Sequence, residues 1–223
     1  MKEIVLDTET TGLSVKDGHR IVEIGCIELN NRVVTNKKFH CLLNPERSVS
    51  EDAYKIHGYS DKFLADKKKF VEIADDFLSF IGEKKLVIHN SVFDISHLNN
   101  ELGLVGKKKI NKDQVIDTLE IAKNKFPGSQ INLDALCKKF RIDNSKREKH
   151  NAIIDCELLS KVYINLLDEK EPTFNFLSNS TNIKDNYLDT KLDYYKKVIK
   201  PTHEETKLHG QFLKKELKKN YFN

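Results

Sequence analysis

Three β-patterned runs crowd the first 43 residues, and beyond them helical periodicity alternates with very short apolar runs as far as residue 167. Glu3 to Thr10 carries Ile4, Val5 and Leu6 and ends at Thr11-Gly12. His19 to Leu29 alternates apolar with polar residues, and Arg32 to Leu43 follows an Asn30-Asn31 turn and closes at Asn44-Pro45. A period of two punctuated by turn residues predicts a β-meander. Next, Ser50 caps a short helix stopped by Gly58, and Phe70, Ile73, Ala74, Phe77, Leu78 and Ile81 recur at helical spacing. Leu86 to Ile88 and Val115-Ile116 read as short strands, and helices are predicted over 93–104, 118–125, 133–140 and 151–167. A meander followed by helix–strand alternation implies one mixed, five-stranded α/β sheet flanked by helices.

The pattern fails after Leu167. Residues 168–187 are polar, with isolated Phe174, Phe176 and Leu177, and read as a flexible linker; 188–223 read as a Lys-rich tail with a helix predicted from Glu204 to Leu217. So little apolar material cannot easily build a second core, and the 223 residues divide into a domain of 1–167 and a C-terminal tether. No apolar run approaches the roughly 18 residues that span a bilayer. Cys26, Cys41, Cys137 and Cys156 are far apart and form no CxxC pair, so they are expected to be reduced and mostly buried. With no leader pattern behind Met1, a cytoplasmic protein is expected. A net charge of +4 permits a nucleic-acid partner without demanding one.

Three local patterns carry chemistry. Asp7 and Glu9 in Asp7-Thr8-Glu9 project to one face at the end of a strand, where two carboxylates repel unless a hard cation lies between them; alone, the pair also fits an exposed strand face. His89-Asn90-Ser91-Val92-Phe93-Asp94 runs from a short strand into a helix. Asn90 could hydrogen-bond a ligand and Phe93 pack on a sugar or base, while Asp94 also fits a first-turn acid that complements the helix dipole. His150 precedes Asp155 by five residues, about 500° of helix, so the two converge only with His150 in the preceding loop and Asp155 in the second turn.

Asp7, Glu9, Asp94, His150 and Asp155, in this order and in the motifs D-x-E, H-N-x-x-F-D and H-x-x-x-x-D, resemble the DEDDh exonuclease superfamily, which has a ribonuclease H-like fold. IVLDTETTGL, KIHGYSDKFL, LVIHNSVFDI and LDALCKKFRIDNSKREKH are similar to the proofreading epsilon subunits of bacterial DNA polymerase III, over about residues 1–167. The resemblance implies a 3′–5′ exonuclease that removes mispaired terminal nucleotides with two divalent cations, Mg²⁺ or Mn²⁺. Asp7 would bridge the ions, Glu9 and Asp155 complete one site, Asp94 act on the other, and His150 serve as general base. Thr8, Asp52 and His57 would join Asp7, Glu9, Asn90, Phe93 and Asp155 around the substrate; Asp52 stands where relatives commonly carry Glu. The implied partners are a single-stranded or frayed DNA 3′ end, the polymerase alpha subunit through the tail, and the sliding clamp through Glu171 to Phe176, which lacks a leading Gln. No membrane partner is expected. Two other readings stay open: a free-standing exoribonuclease, because the catalytic set contacts phosphate and metal rather than the 2′-hydroxyl, and a non-catalytic subunit of a polymerase complex, whose mark would be a lost acid.

Overall fold

The structure, a computed structural model, describes residues 1–145, 147, 149–167 and 200–216. Strands β1 (Lys2–Thr10), β2 (Ile21–Asn30) and β3 (Val33–Leu42) form the meander. Helices α1 (Glu51–His57), α2 (Asp61–Leu64) and α3 (Phe70–Ile81) lead to β4 (Lys85–Ile88), α4 (Ser91–Leu104), β5 (Val115–Asp117), α5 (Thr118–Lys125), α6 (Leu133–Phe140) and α7 (Ala152–Leu166). The five strands lie in the order β3-β2-β1-β4-β5, with β1 antiparallel to β2 and parallel to β4. The mixed sheet read from the sequence is therefore present, with β1 at its centre.

Alternation along β1 divides the core. Ile4 and Leu6 pack with Phe77 of α3 and Leu98 and Leu102 of α4, whereas Val5 packs with Ala122 of α5, Leu136 of α6 and Leu159, Val162 and Tyr163 of α7. Each face of the central strand is thus covered by helices, the arrangement that buries a sheet on both sides.

Three boundaries differ from expectation for physical reasons. The β2–β3 turn is centred on Asn31-Arg32, both at positive φ (49° and 65°), rather than on Asn30-Asn31; two left-handed central residues match the twist of a two-residue hairpin. Helix α4 begins at Ser91 because Asp117, at the end of β5, accepts the N–H groups of Asn90 (3.1 Å) and Ser91 (2.8 Å). Asp155 lies in the first turn of α7, not the second, because Asn151 is the cap and accepts the Ile154 N–H at 3.1 Å. Short helix α2 has its own cap in Ser60, which accepts the Phe63 N–H at 3.2 Å.

The chain divides into two compact units, Met1–Phe174 and Asn175–Asn223. In the second, helix α8 (His203–Glu216) coincides with the helix expected in the tail. The linker expected at 168–187, the clamp-contacting segment Glu171 to Phe176 and the first part of the tail lie outside the described residues. Among the described residues no helix is long and apolar enough to cross a membrane.

Candidate active site

Asp7 and Glu9 project from the last residues of β1 on the side that faces α7, continuing the row begun by Val5. Thr8 points the other way, and its N–H and hydroxyl donate to Asp94 Oδ1 at 3.0 and 2.7 Å. Asp94, in the first turn of α4, is thereby turned back over the end of β1. Asp155 enters from α7 and His150 from the loop before it. Together with Asn90 and Phe93, all five predicted catalytic residues line one cleft of about 470 Å³. Ligand atoms of Glu9, His150 and Asp155 lie within 4.8 Å of one another.

Such a gathering of acids is electrostatically strained. Burial, then repulsion from Asp94, Glu9 and Asp155, pushes the Asp7 carboxyl well above the usual range. Burial and the neighbouring carboxylates push Glu9 up to about 8, and burial pushes Asp94 up to about 7 against the opposing Thr8 hydrogen bonds. Asp7, Glu9 and Asp94, held out of water at this density, can all ionise only beside added positive charge. Oxygen donors with one histidine suit a hard divalent cation, so the residues present fit a divalent metal ion.

Arg147 supplies part of that charge. Its Nε and Nη2 bind the two Asp155 oxygens at 2.5 and 2.8 Å, Nη1 reaches Asp134 at 2.7 Å, and Nη2 lies 3.0 Å from His150 Nδ1. A guanidinium has no acceptor atoms, so His150 Nδ1 accepts here and the imidazole proton sits on Nε2. Burial and then Arg147 lower the His150 pKa below the ordinary histidine value.

An adjoining cavity of about 390 Å³ shares Glu9, Ile56 and Phe93 with the cleft and holds Asp52 and His57. Asp52 is exposed and lies 3.7 Å from Lys55. His57 is buried; its Nδ1 accepts the Tyr59 N–H at 3.0 Å, which leaves Nε2 to donate to the Thr10 carbonyl at 3.2 Å. Both ring nitrogens are thus engaged within the chain, so a His57 contact with a ligand falls to its ring carbons. Thr8 likewise directs its hydrogen bonds to Asp94.

Sequence reasoning passed over Arg147, Asp134 and Glu23. Arg147 had a signal: arginine is scarce in this chain, five residues against 33 lysines, and a bidentate grip on a carboxylate is what lysine cannot provide. Asp134 had none, since an acid in the first turn of α6 satisfies the helix dipole on its own. Glu23 looked like an ordinary polar position in an alternating strand.

A mixed sheet whose central strand ends in buried acids facing a loop histidine defines a nuclease of the ribonuclease H-like class. The Exonuclease family model matches residues 4–163. The "DNA polymerase III subunit epsilon" of Rickettsia felis is 49% identical over 224 residues, covering 98% of each chain. Exonuclease X in complex with 5′-overhanging duplex DNA superposes at a TM-score of 0.57, with 25% identity over 74% of this chain and 90% of that one. The nuclease domain of 3′hExo, a DEDDh family member bound to rAMP, shares the fold at a TM-score of 0.64, with 20% identity over 75% and 92% of the two chains. The chain belongs to the exonuclease family and, within it, to the DNA polymerase III epsilon subunits.

Proposed function

We propose that this chain removes mispaired nucleotides from DNA 3′ ends as the proofreading subunit of a replicative polymerase. The observation that carries the reading is the convergence of Asp7, Glu9, Asp94, Asp155 and His150 on one cleft. None of the five is replaced, which disfavours a purely structural subunit.

Asp7, Glu9, Asp94 and Asp155 would hold two divalent ions, Mg²⁺ or Mn²⁺. Bound there, the ions would offset the carboxylate charge and stabilise the attacking and leaving oxygens of an in-line displacement. Thr8 keeps Asp94 aimed at the cleft. His150, neutral near pH 7 because its pKa is lowered, takes the proton of the attacking water; a base so placed contributes on the order of 10²–10⁴ in rate. His150 must first be released by Arg147, because its free nitrogen lone pair faces that guanidinium. Hydrolysis then breaks the bond between phosphorus and the 3′ oxygen, releasing a nucleoside 5′-monophosphate. Phe93 and Asn90 line the cleft where the terminal nucleotide would lie, and Asp52 and His57 line the adjoining cavity.

The test is single-turnover cleavage of a DNA oligonucleotide and its RNA counterpart. Cleavage from the 3′ end is expected on DNA and lost in a folded Asp7→Ala variant. Preferential cleavage of RNA would move the reading to an exoribonuclease.

The tail supports a polymerase partner in two ways. Similarity to the Rickettsia felis protein extends through nearly the whole chain. In α8, Leu208 and Phe212 stand one helical turn apart and are 64% and 55% exposed, a spacing suited to a groove on another protein. Clamp contact through Glu171 to Phe176 completes the reading, and changing Phe174 and Phe176 to Ala should abolish clamp pull-down.

A further inference from the structure

His150 presents a structural problem. Its side chain is 47% exposed, so packing does not hold it. It sits outside α7, two residues before the first helical position. Once the Arg147 contact on Nδ1 is released, its orientation depends on the backbone to either side. On one side its own N–H donates to the Ile56 carbonyl at 3.2 Å. On the other side lies Ala152, and Ala152 is gripped by β2.

The grip has two parts at neighbouring same-face positions of the strand. At Gly25 a Cβ would come within 2.5 Å of the Ala152 carbonyl carbon, so the start of α7 rests on bare backbone. At Glu23 the carboxylate accepts the Ala152 N–H on Oε2 at 3.0 Å and the Asn151 amide on Oε1 at 2.9 Å. Tyr59 and His40 complete its shell at 3.0 and 2.6 Å. Glu23 is fully buried, all its partners are donors, and it lies directly across from Glu9 in the sheet. A buried carboxylate satisfied by four donors is a rigid joint.

We infer that Glu23 is a positioning residue for His150, acting through the Asn151-Ala152 backbone. Asp155 does not need it. Helix α7 is anchored independently by Cys156, Leu159, Val162 and Tyr163 in the core, so Asp155 keeps its place when the joint is loosened. The loop residue outside the helix does not, and a displacement of about 1 Å can cost on the order of 10²-fold in rate. The inference rests on the reading of His150 as general base.

Glu23→Gln, made in the full chain, keeps the shape but turns an amide group toward existing donors. Its single-turnover cleavage of a single-stranded oligodeoxynucleotide should fall about tenfold or more. Its melting temperature should fall, because the Gln amide leaves buried donors unpaired, while its substrate KM should stay near that of the parent. In a His150→Ala background the same change should cost nothing further. A folded Glu23→Gln variant with normal turnover beside a crippled His150→Ala variant overturns this inference alone. An equal further loss in the His150→Ala background also overturns it, because Glu23 would then act elsewhere. Full activity of His150→Ala overturns both this inference and the assignment of the base. Should Glu23→Gln fail to fold, Tyr59→Phe removes one donor and leaves the carboxylate; a smaller loss of the same kind, again absent without His150, is expected, and no loss overturns the inference.

Discussion

Buried charge decides most of what single residues do here. Asp7 is destabilising in the protein without metal, since burial and three neighbouring acids all disfavour its ionised form. Asp7→Asn should therefore abolish cleavage while raising the melting temperature in EDTA at pH 8, by roughly 0.5–2 kcal/mol of stability, as functional-site substitutions often do. A lower melting temperature would show that Asp7 makes a stabilising contact instead. Arg147 acts in the opposite sense, because it holds both oxygens of Asp155. Arg147→Gln should free them and tighten divalent binding by about 1.5 kcal/mol, near tenfold in Kd, with lower stability in EDTA. Weaker binding by calorimetry would mean that the guanidinium orients Asp155 for the ion rather than competing with it. Asp7, Glu9, Asp94, His150 and Asp155 were legible as a set because their spacing and order are unusual. Arg147 and Glu23 were not, because their roles depend on partners as far as 13 and 129 positions away.

At the scale of elements, the helices were legible where caps and periodicity agree. Ser50 receives the Ala53 N–H and Gly58 closes α1 at φ 78°; Ser50→Ala should cost about 1 kcal/mol, measurable by denaturant unfolding. The start of α4 was misjudged because its cap comes from β5, 26 residues on, and the sequence holds no local trace of it. The junction of β2 with α7 is another case. Gly25 sits in a strand at ordinary φ, where glycine usually weakens pairing, and its reason is the backbone of Ala152 pressed against it. Gly25→Ala should lift the start of α7, costing about 1–3 kcal/mol by overpacking and reducing turnover with it. Unchanged stability would mean that the helix can shift without penalty.

For the whole molecule, the raised acids make stability depend on pH in an unusual direction. Glu9 has its folded pKa raised from 4.5 to about 8, and Asp94 from 3.8 to about 7. Between those limits the folded state binds more protons than the unfolded state, so stability falls as pH rises. In EDTA the melting temperature should drop from pH 5 to pH 8. Saturating Mg²⁺ or Mn²⁺ should remove most of that drop, because bound cations favour the ionised acids and bind only the folded chain. An EDTA profile that rises over the same window would contradict the buried-acid description. The division into two units makes a separate prediction: a chain ending at Phe174 should keep cleavage of free oligonucleotides but lose co-purification with the polymerase.

The sequence by itself determined the sheet, its helical cover and the five groups of the cleft. Alternation, helical periodicity, caps and motif order are local signals that survive without coordinates. Tertiary structure alone decided which charges meet. It put Arg147 on Asp155, Thr8 on Asp94, and Glu23 beneath the loop that carries His150. Hydrogen bonds and ion pairs act over about 3 Å of space whatever the distance along the chain, and only the folded chain brings those partners within reach.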